Sequence, residues 1–65
     1  MCLSTLWVND AAEPAGGNIC SIRTEDGKVI ATDIMGRVIE LAGAIESVDL
    51  IENNIRVRTE PARAS

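Results

Sequence analysis

The residues with the most distinctive chemistry stand at the start of the chain, in the dipeptide Met1-Cys2. Removal of Met1, which a small second residue permits, would leave Cys2 with both a thiol and a free α-amine. These two donors close a five-membered chelate ring around a metal ion, and Ni(II) or Cu(II) accepts the planar arrangement that such a chelate imposes. Cys2 is therefore the candidate metal ligand. The alternative is an ordinary cysteine that follows a start methionine in the first strand.

The rest of the sequence offers no second group of residues that could form a catalytic or metal-binding site. The chain has no histidine, so its serines lack a base for a catalytic triad, and two cysteines alone cannot build an ordinary structural zinc site. The carboxylates of the predicted strands and turns are expected to form a solvated acidic face, although Asp49 could also close a turn. These carboxylates are Asp26, Asp33, Glu40, Glu46, Asp49 and Glu52. We therefore expect no catalytic residues and no enzymatic activity.

The second cysteine, Cys20, lies between Ile19 and Ile22 in a predicted strand. Alternation of side chains places Cys20 on the same face as Ile22, and a buried cysteine packs as a small hydrophobic residue. We therefore expect Cys20 in the core. The sequence shows neither a signal peptide nor a stretch that could span a membrane, which predicts a cytoplasmic protein whose thiols stay reduced.

Length and composition predict one small β-domain over residues 1–59, followed by a disordered tail over residues 60–65. The chain is 46% hydrophobic with a single aromatic residue, so its core must be aliphatic, and its Ile and Val residues favour strands. A net charge of −4 repels phosphate backbones, which argues against nucleic-acid binding. Because so short a chain is only marginally stable alone, we expect a homodimer.

The elements that must position the candidate ligand are short strands joined by turns. Asp26-Gly27 between two apolar runs is a strong hairpin signal, because a tight primed turn needs positive φ angles. Segment 43–50 fits either a short helical turn or an irregular strand. Strands are predicted over residues 2–8, 18–24, 28–34, 38–41 and 55–59. This pattern predicts an all-β fold, a small Sm-like or SH3-like five-stranded, partly open barrel.

Two stretches of the sequence carry a resemblance to a known family. They are "MCLSTLWV" at the start and "TEDGKVIATDIMGRVIELAGAIESVDLIENNIRV", which holds the glycine-centred hairpin and a Val-Asp-Leu segment before the last strand. From Met1 to about Thr59 the chain resembles the CooT family of small nickel-binding proteins. The resemblance implies an Sm/SH3-like barrel, a homodimer and Ni(II) bound by Cys2. It also implies a nickel carrier that supplies carbon monoxide dehydrogenase.

If the resemblance holds, two chains that each donate an amine and a thiolate would give a planar N₂S₂ set across a two-fold axis. If Met1 is retained, the nitrogen of Cys2 is an amide, and the amine ligand is either lost or must come from Met1. One alternative is a HypC-like hydrogenase maturation chaperone, which also starts Met-Cys-Leu. The chain lacks that family's proline after the cysteine and its C-terminal helix. Another alternative is an Sm-like RNA-binding or regulatory module, which the acidic charge and the missing aromatic residues disfavour.

Overall fold

Five strands follow one another along the chain in the computed structural model, which describes residues 3–59. They are β1 (Ser4–Val8), β2 (Gly16–Glu25), β3 (Lys28–Asp33), β4 (Val38–Asp49) and β5 (Asn54–Thr59). Successive strands pair antiparallel, and β1 pairs in parallel with β5. The predicted small five-stranded barrel is confirmed, and it closes completely where a partly open one was expected. The candidate ligand Cys2 and the predicted tail 60–65 lie outside the described residues.

The core of the barrel is aliphatic, as the composition predicts. Its buried members come from every strand except β4, and β4 adds half-buried side chains around them. Burial of each leucine, isoleucine or valine side chain in it contributes roughly 1.5–3 kcal/mol. The buried cluster consists of Leu6, Ile19, Val29, Ala31, Ile55 and Val57. No helix in the part of the chain covered by these strands and their turns is long and apolar enough to cross a membrane.

The β2–β3 hairpin forms where the sequence predicts it. Asp26 and Gly27 have φ angles of +52° and +76°, the two positive values that a type I′ turn requires. Glu25 and Lys28 pair directly on either side of this turn. Because the turn fixes the register, the alternation along β3 places Val29 and Ala31 in the core.

The ambiguous segment 43–50 is an irregular continuation of β4 and not a helical turn. β4 pairs with β3 up to Ala42 and with β5 from Gly43 onward. At Gly43 the two backbones approach so closely that a Cβ atom would meet the carbonyl oxygen of Arg58 and lie 2.8 Å from the Cα atom of Thr59. Glycine therefore allows one long strand to change partners at this point.

The prediction that Cys20 lies in the core is wrong. Cys20 is exposed and its thiol is free, whereas Ile19 is 2% exposed and Ile22 packs against the core. The pairing of β2 with β3 shifts between Ile19 and Ser21, so Cys20 is the extra residue of a β-bulge. The bulge breaks the period of two, and this lets Ile19 and Ile22 both face inward while Cys20 faces solvent.

The prediction of a solvated acidic face holds for five of the six carboxylates and is wrong for Asp33. Asp33 is only 7% exposed. Its Oδ1 atom accepts the backbone N–H groups of Met35 and Arg37 at 2.8 and 2.9 Å, and its Oδ2 atom accepts Nε of Arg37 at 2.9 Å. Asp33 therefore closes the β3–β4 turn as an internal hydrogen-bond acceptor.

Candidate metal centre

The chain enters the barrel at Ser4, the second residue after the candidate ligand Cys2. Ser4 pairs with Ile19 of β2, and the next residue, Thr5, donates its backbone N–H to the carbonyl oxygen of Asn53 at 2.8 Å. Both neighbours of β1 thus fix the position at which the N-terminal residues join the fold. The ligand itself lies outside the described residues, so its role stays a prediction.

A groove of about 210 Å³ opens beside Ser4, and we call it the entry groove. It is mainly aliphatic, with contributions from β1, β2, β4, β5 and the turn that follows β4. The thiol-bearing residue Cys20 is also part of its lining. The full lining comprises Ser4, Ile19, Cys20, Ser21, Ile22, Val48, Leu50 and Ile55.

An apolar turn, Leu50 with Ile51, projects next to the entry groove. The two residues are 80% and 89% exposed. The Oδ1 atom of Asp49 accepts the backbone N–H groups of Ile51 at 3.0 Å and Glu52 at 2.9 Å. The expectation that Asp49 closes a turn is confirmed. Sequence reasoning missed the exposure of the apolar turn, although two consecutive aliphatic residues between strands are a usable signal.

The charged side chains near the apolar turn and the charged side chain on the neighbouring strand β5 differ in whether they form ion pairs. Arg58 of β5 binds Glu46 at 3.0 Å and Asp10 at 3.6 Å, and the hydrogen bond to Glu46 raises the pKa of Arg58. Within residues 3–59, by contrast, neither Asp49 nor Glu52 has a cationic partner. The apolar turn is therefore flanked by two carboxylates that form no ion pair within the described residues.

The described residues do not by themselves assemble a metal site. Over residues 3–59, no three cysteine, aspartate or glutamate side chains lie close enough together to hold an ion. Within residues 3–59, Cys20 supplies the free thiol. The three-residue spacing of Ile19 and Ile22 is the sequence signal that could have predicted that Cys20 faces outward. The candidate ligand Cys2 lies outside this range.

A comparison with protein families matches residues 1–58 to the family described as CO dehydrogenase accessory protein CooT. The chain belongs to the CooT family. The resemblance found in the sequence is thereby confirmed, and the CooT match starts at Met1, so it includes Cys2. By its description, a CooT protein is an accessory of CO dehydrogenase and not the catalyst itself. A search of curated proteins gives no match.

Proposed function

We propose that this CooT protein is a nickel carrier that supplies Ni(II) to CO dehydrogenase, with the ion held by Cys2. The observation that carries the proposal is the family match over residues 1–58, which begins with Met1-Cys2 and describes a CO dehydrogenase accessory protein. The protein acts as a carrier and not as an enzyme. Its compartment is the cytoplasm, because a thiolate ligand needs reducing surroundings.

The donor chemistry of Cys2 supports nickel as the cargo. After removal of Met1, one chain supplies one amine and one thiolate, so two chains are needed to complete four donors around the ion. A planar N₂S₂ set suits Ni(II), whereas Zn(II) prefers a tetrahedron. The homodimer is therefore part of the proposal. A site made from two chain ends, without a surrounding cage of ligands, favours release of the ion to a recipient.

The decisive experiment is a titration of the full chain with Ni(II), after mass spectrometry has verified that Met1 is absent. We expect thiolate-to-nickel charge-transfer bands, planar d–d bands and one Ni(II) per two chains. Cys2→Ser should lose these bands, and the matched variant Cys20→Ser should keep them. Equal binding by the wild type and Cys2→Ser would show that Cys2 is not the ligand.

Delivery to the recipient is tested with CO dehydrogenase that has been depleted of nickel. The loaded carrier should restore activity in the presence of a chelator that captures free Ni(II). Cys2→Ser, treated identically, should not restore it. Restoration by free Ni(II) and by the carrier to the same extent under these conditions would contradict a carrier role.

A further inference from the structure

We propose that the surface around the β3–β4 turn is the docking site for CO dehydrogenase, and that it accepts an aliphatic segment of that protein with a carboxylate beside it. We call this surface the docking face, and it consists of Ile34, Met35, Arg37 and Val38 with the cavity next to them. The proposal rests on the proposed function, since a carrier must contact the protein that receives its ion. It assigns that contact to one part of the barrel.

The docking face exposes large apolar side chains in one short stretch of the chain. Ile34, Met35 and Val38 are 55%, 76% and 57% exposed, and they surround a single tight turn. Apolar side chains that are exposed together mark interaction sites on soluble proteins. Because Asp33 binds the backbone N–H groups of Met35 and Arg37, the turn is ordered before a partner arrives. Binding to an ordered surface costs little conformational entropy.

A cavity of about 480 Å³ lies beside these side chains, between the start of β2 and the β3–β4 turn. Val38 and Ile39 give the cavity an aliphatic wall, and on the β2 side Gly16 and Gly17 contribute no side chains. A Cβ atom at Gly17 would have no neighbour within 4 Å. The cavity therefore has room for an aliphatic side chain that a partner inserts.

Arg37 lines the same cavity and determines which polar group the partner must bring. Its Nε atom donates to Oδ2 of Asp33 at 2.9 Å, whereas Nη1 and Nη2 have no hydrogen-bond partner among residues 3–59. The two terminal nitrogens of a guanidinium form a fork that matches the two oxygens of a carboxylate. A partner that covered them without an acceptor would bury unpaired donors at a cost in free energy. The complementary segment is therefore aliphatic and acidic.

Arg58 shows by contrast what makes Arg37 suitable. It also lines a cavity, formed with Gly27 and Gly43 among others, but Glu46 and Asp10 already bind its guanidinium at 3.0 and 3.6 Å. The side chain of Arg58 is 48% exposed, and that of Arg37 is 79% exposed. Arg37 thus combines an apolar cavity with terminal nitrogens that a partner can reach.

The strand register places the docking face close to the proposed metal site. Ser4 of β1 pairs with Ile19 of β2, and Ile19 pairs in turn with Asp33 at the end of β3. Since neighbouring strands are about 4.8 Å apart, Asp33 lies roughly 10 Å from Ser4. Ser4 is the second residue after Cys2. A recipient on the docking face would therefore stand next to the point where the N-terminal residues enter the barrel.

The first test measures the affinity of the full chain for nickel-depleted CO dehydrogenase by isothermal titration calorimetry. Arg37→Glu should weaken binding at least tenfold, because it replaces the donor fork with a carboxylate. Arg37→Gln avoids a second carboxylate next to Asp33 and should also weaken binding about tenfold. Met35→Ser should have a similar effect, since burial of one large apolar side chain corresponds to about tenfold or more in affinity.

Matched controls change the same kinds of side chain elsewhere on the barrel. Arg23→Glu alters the net charge as Arg37→Glu does, at a side chain that is 65% exposed. Ile51→Ser removes an apolar side chain that is 89% exposed. Each control should change the affinity for CO dehydrogenase less than about threefold. Circular dichroism verifies that all variants keep the β fold.

Photo-crosslinking tests the chemistry of the partner segment. With p-benzoylphenylalanine in place of Val38, irradiation of the complex should attach the chain to CO dehydrogenase. Mass spectrometry should then identify a peptide in which aliphatic and acidic residues are neighbours. A peptide without an acidic residue would contradict the role of Arg37, and attachment only to a second copy of this chain would overturn the proposal.

Two variants separate this proposal from the assignment of the ligand. Arg37→Gln should bind Ni(II) with the spectrum of the wild type and yet fail to restore CO dehydrogenase in the presence of a chelator. Cys2→Ser should bind CO dehydrogenase as tightly as the wild type does. If the Arg37 and Met35 changes leave the affinity for CO dehydrogenase intact, or if the wild type does not bind it, the docking face is wrong whatever the Ni(II) titration shows. If Cys2→Ser keeps the Ni(II) bands while Arg37→Gln loses CO dehydrogenase, the docking face stands and the ligand is another residue.

Discussion

Asp33 organises the β3–β4 turn through three hydrogen bonds to one short segment. The backbone N–H of Arg37 makes the largest contribution in lowering the pKa of Asp33 below its ordinary value of 3.8, and burial opposes it. The backbone N–H of Met35 and the guanidinium of Arg37 lower it further. The ionised carboxylate is therefore the form that the fold stabilises.

This gives a prediction for Asp33→Asn. Because the pKa is lowered by folding, the ionised group stabilises the fold above the unfolded pKa, and this contribution is lost as pH falls through the folded pKa. The Tm difference between wild type and variant should be largest near neutral pH and shrink below about pH 4. Thermal unfolding followed by circular dichroism across this range measures it.

Asp26→Asn is the control for this experiment, because Asp26 is exposed in a turn that asparagine also favours. It should change Tm little at any pH in the range. A Tm difference for Asp33→Asn that stays constant with pH would mean that the shape of the side chain, and not its charge, holds the turn.

At the scale of the elements, the change of partners along β4 depends on Gly43. Gly43→Ala should destabilise the protein by about 1–3 kcal/mol, because the new Cβ atom would press against the backbone of β5 at Arg58 and Thr59. Urea unfolding measures the change. Gly17→Ala is the matched control: a Cβ atom at Gly17 meets nothing within 4 Å, so the cost should stay within about 0.5 kcal/mol. Equal costs for both variants would contradict the close approach of β4 and β5.

The β4–β5 turn depends on Asp49 in a similar way. Asp49→Ala removes the acceptor of the Ile51 and Glu52 N–H groups and should cost about 1 kcal/mol. Asp49→Asn keeps an acceptor oxygen and should retain most of the stability. Amide hydrogen exchange at Ile51 and Glu52 should accelerate in Asp49→Ala alone. Acceleration in both variants would show that the charge, and not the hydrogen bonds, orders the turn.

The sequence predicted those elements whose cause is local. The Asp26-Gly27 turn, the inward alternation of Ile55 and Val57, and the turn closed by Asp49 each depend on a few neighbouring residues. The bulge at Cys20 and the continuation of β4 through Gly43 depend on which second strand lies alongside. That information is non-local, so the periodicity of one strand could not supply it.

At the scale of the whole molecule, closure of the barrel leaves none of the five strands as an unpaired sheet edge. β1 and β5 pair in parallel from Thr5 with Asn54 to Val8 with Val57, and this joins the first strand to the last. The candidate ligand could be predicted from residue chemistry and family resemblance alone. The entry groove could not, because it draws residues from β1, β2, β4 and β5, which meet only in the folded chain.

The proposed nickel site predicts a strong pH dependence for the assembled protein. Thiol and α-amine groups have ordinary pKa values of about 8.5 and 7.7–8.0, and both must lose a proton to bind the ion. Affinity for Ni(II) should therefore rise steeply between about pH 7 and 9. Calorimetry in buffers of different ionisation enthalpy measures the protons released. Binding without proton release would contradict ligation by the thiol and amine of Cys2.

The parallel pairing of β1 and β5 also separates the two ends of the barrel. Thr59 lies at the end where Asn9 binds both its backbone N–H and its hydroxyl, away from the entry point at Ser4. Since β5 spans about 20 Å, a fluorophore attached at Thr59 would stand about that far from the entry point at Ser4. A label at that end of the barrel therefore leaves the end that carries the candidate ligand Cys2 unobstructed.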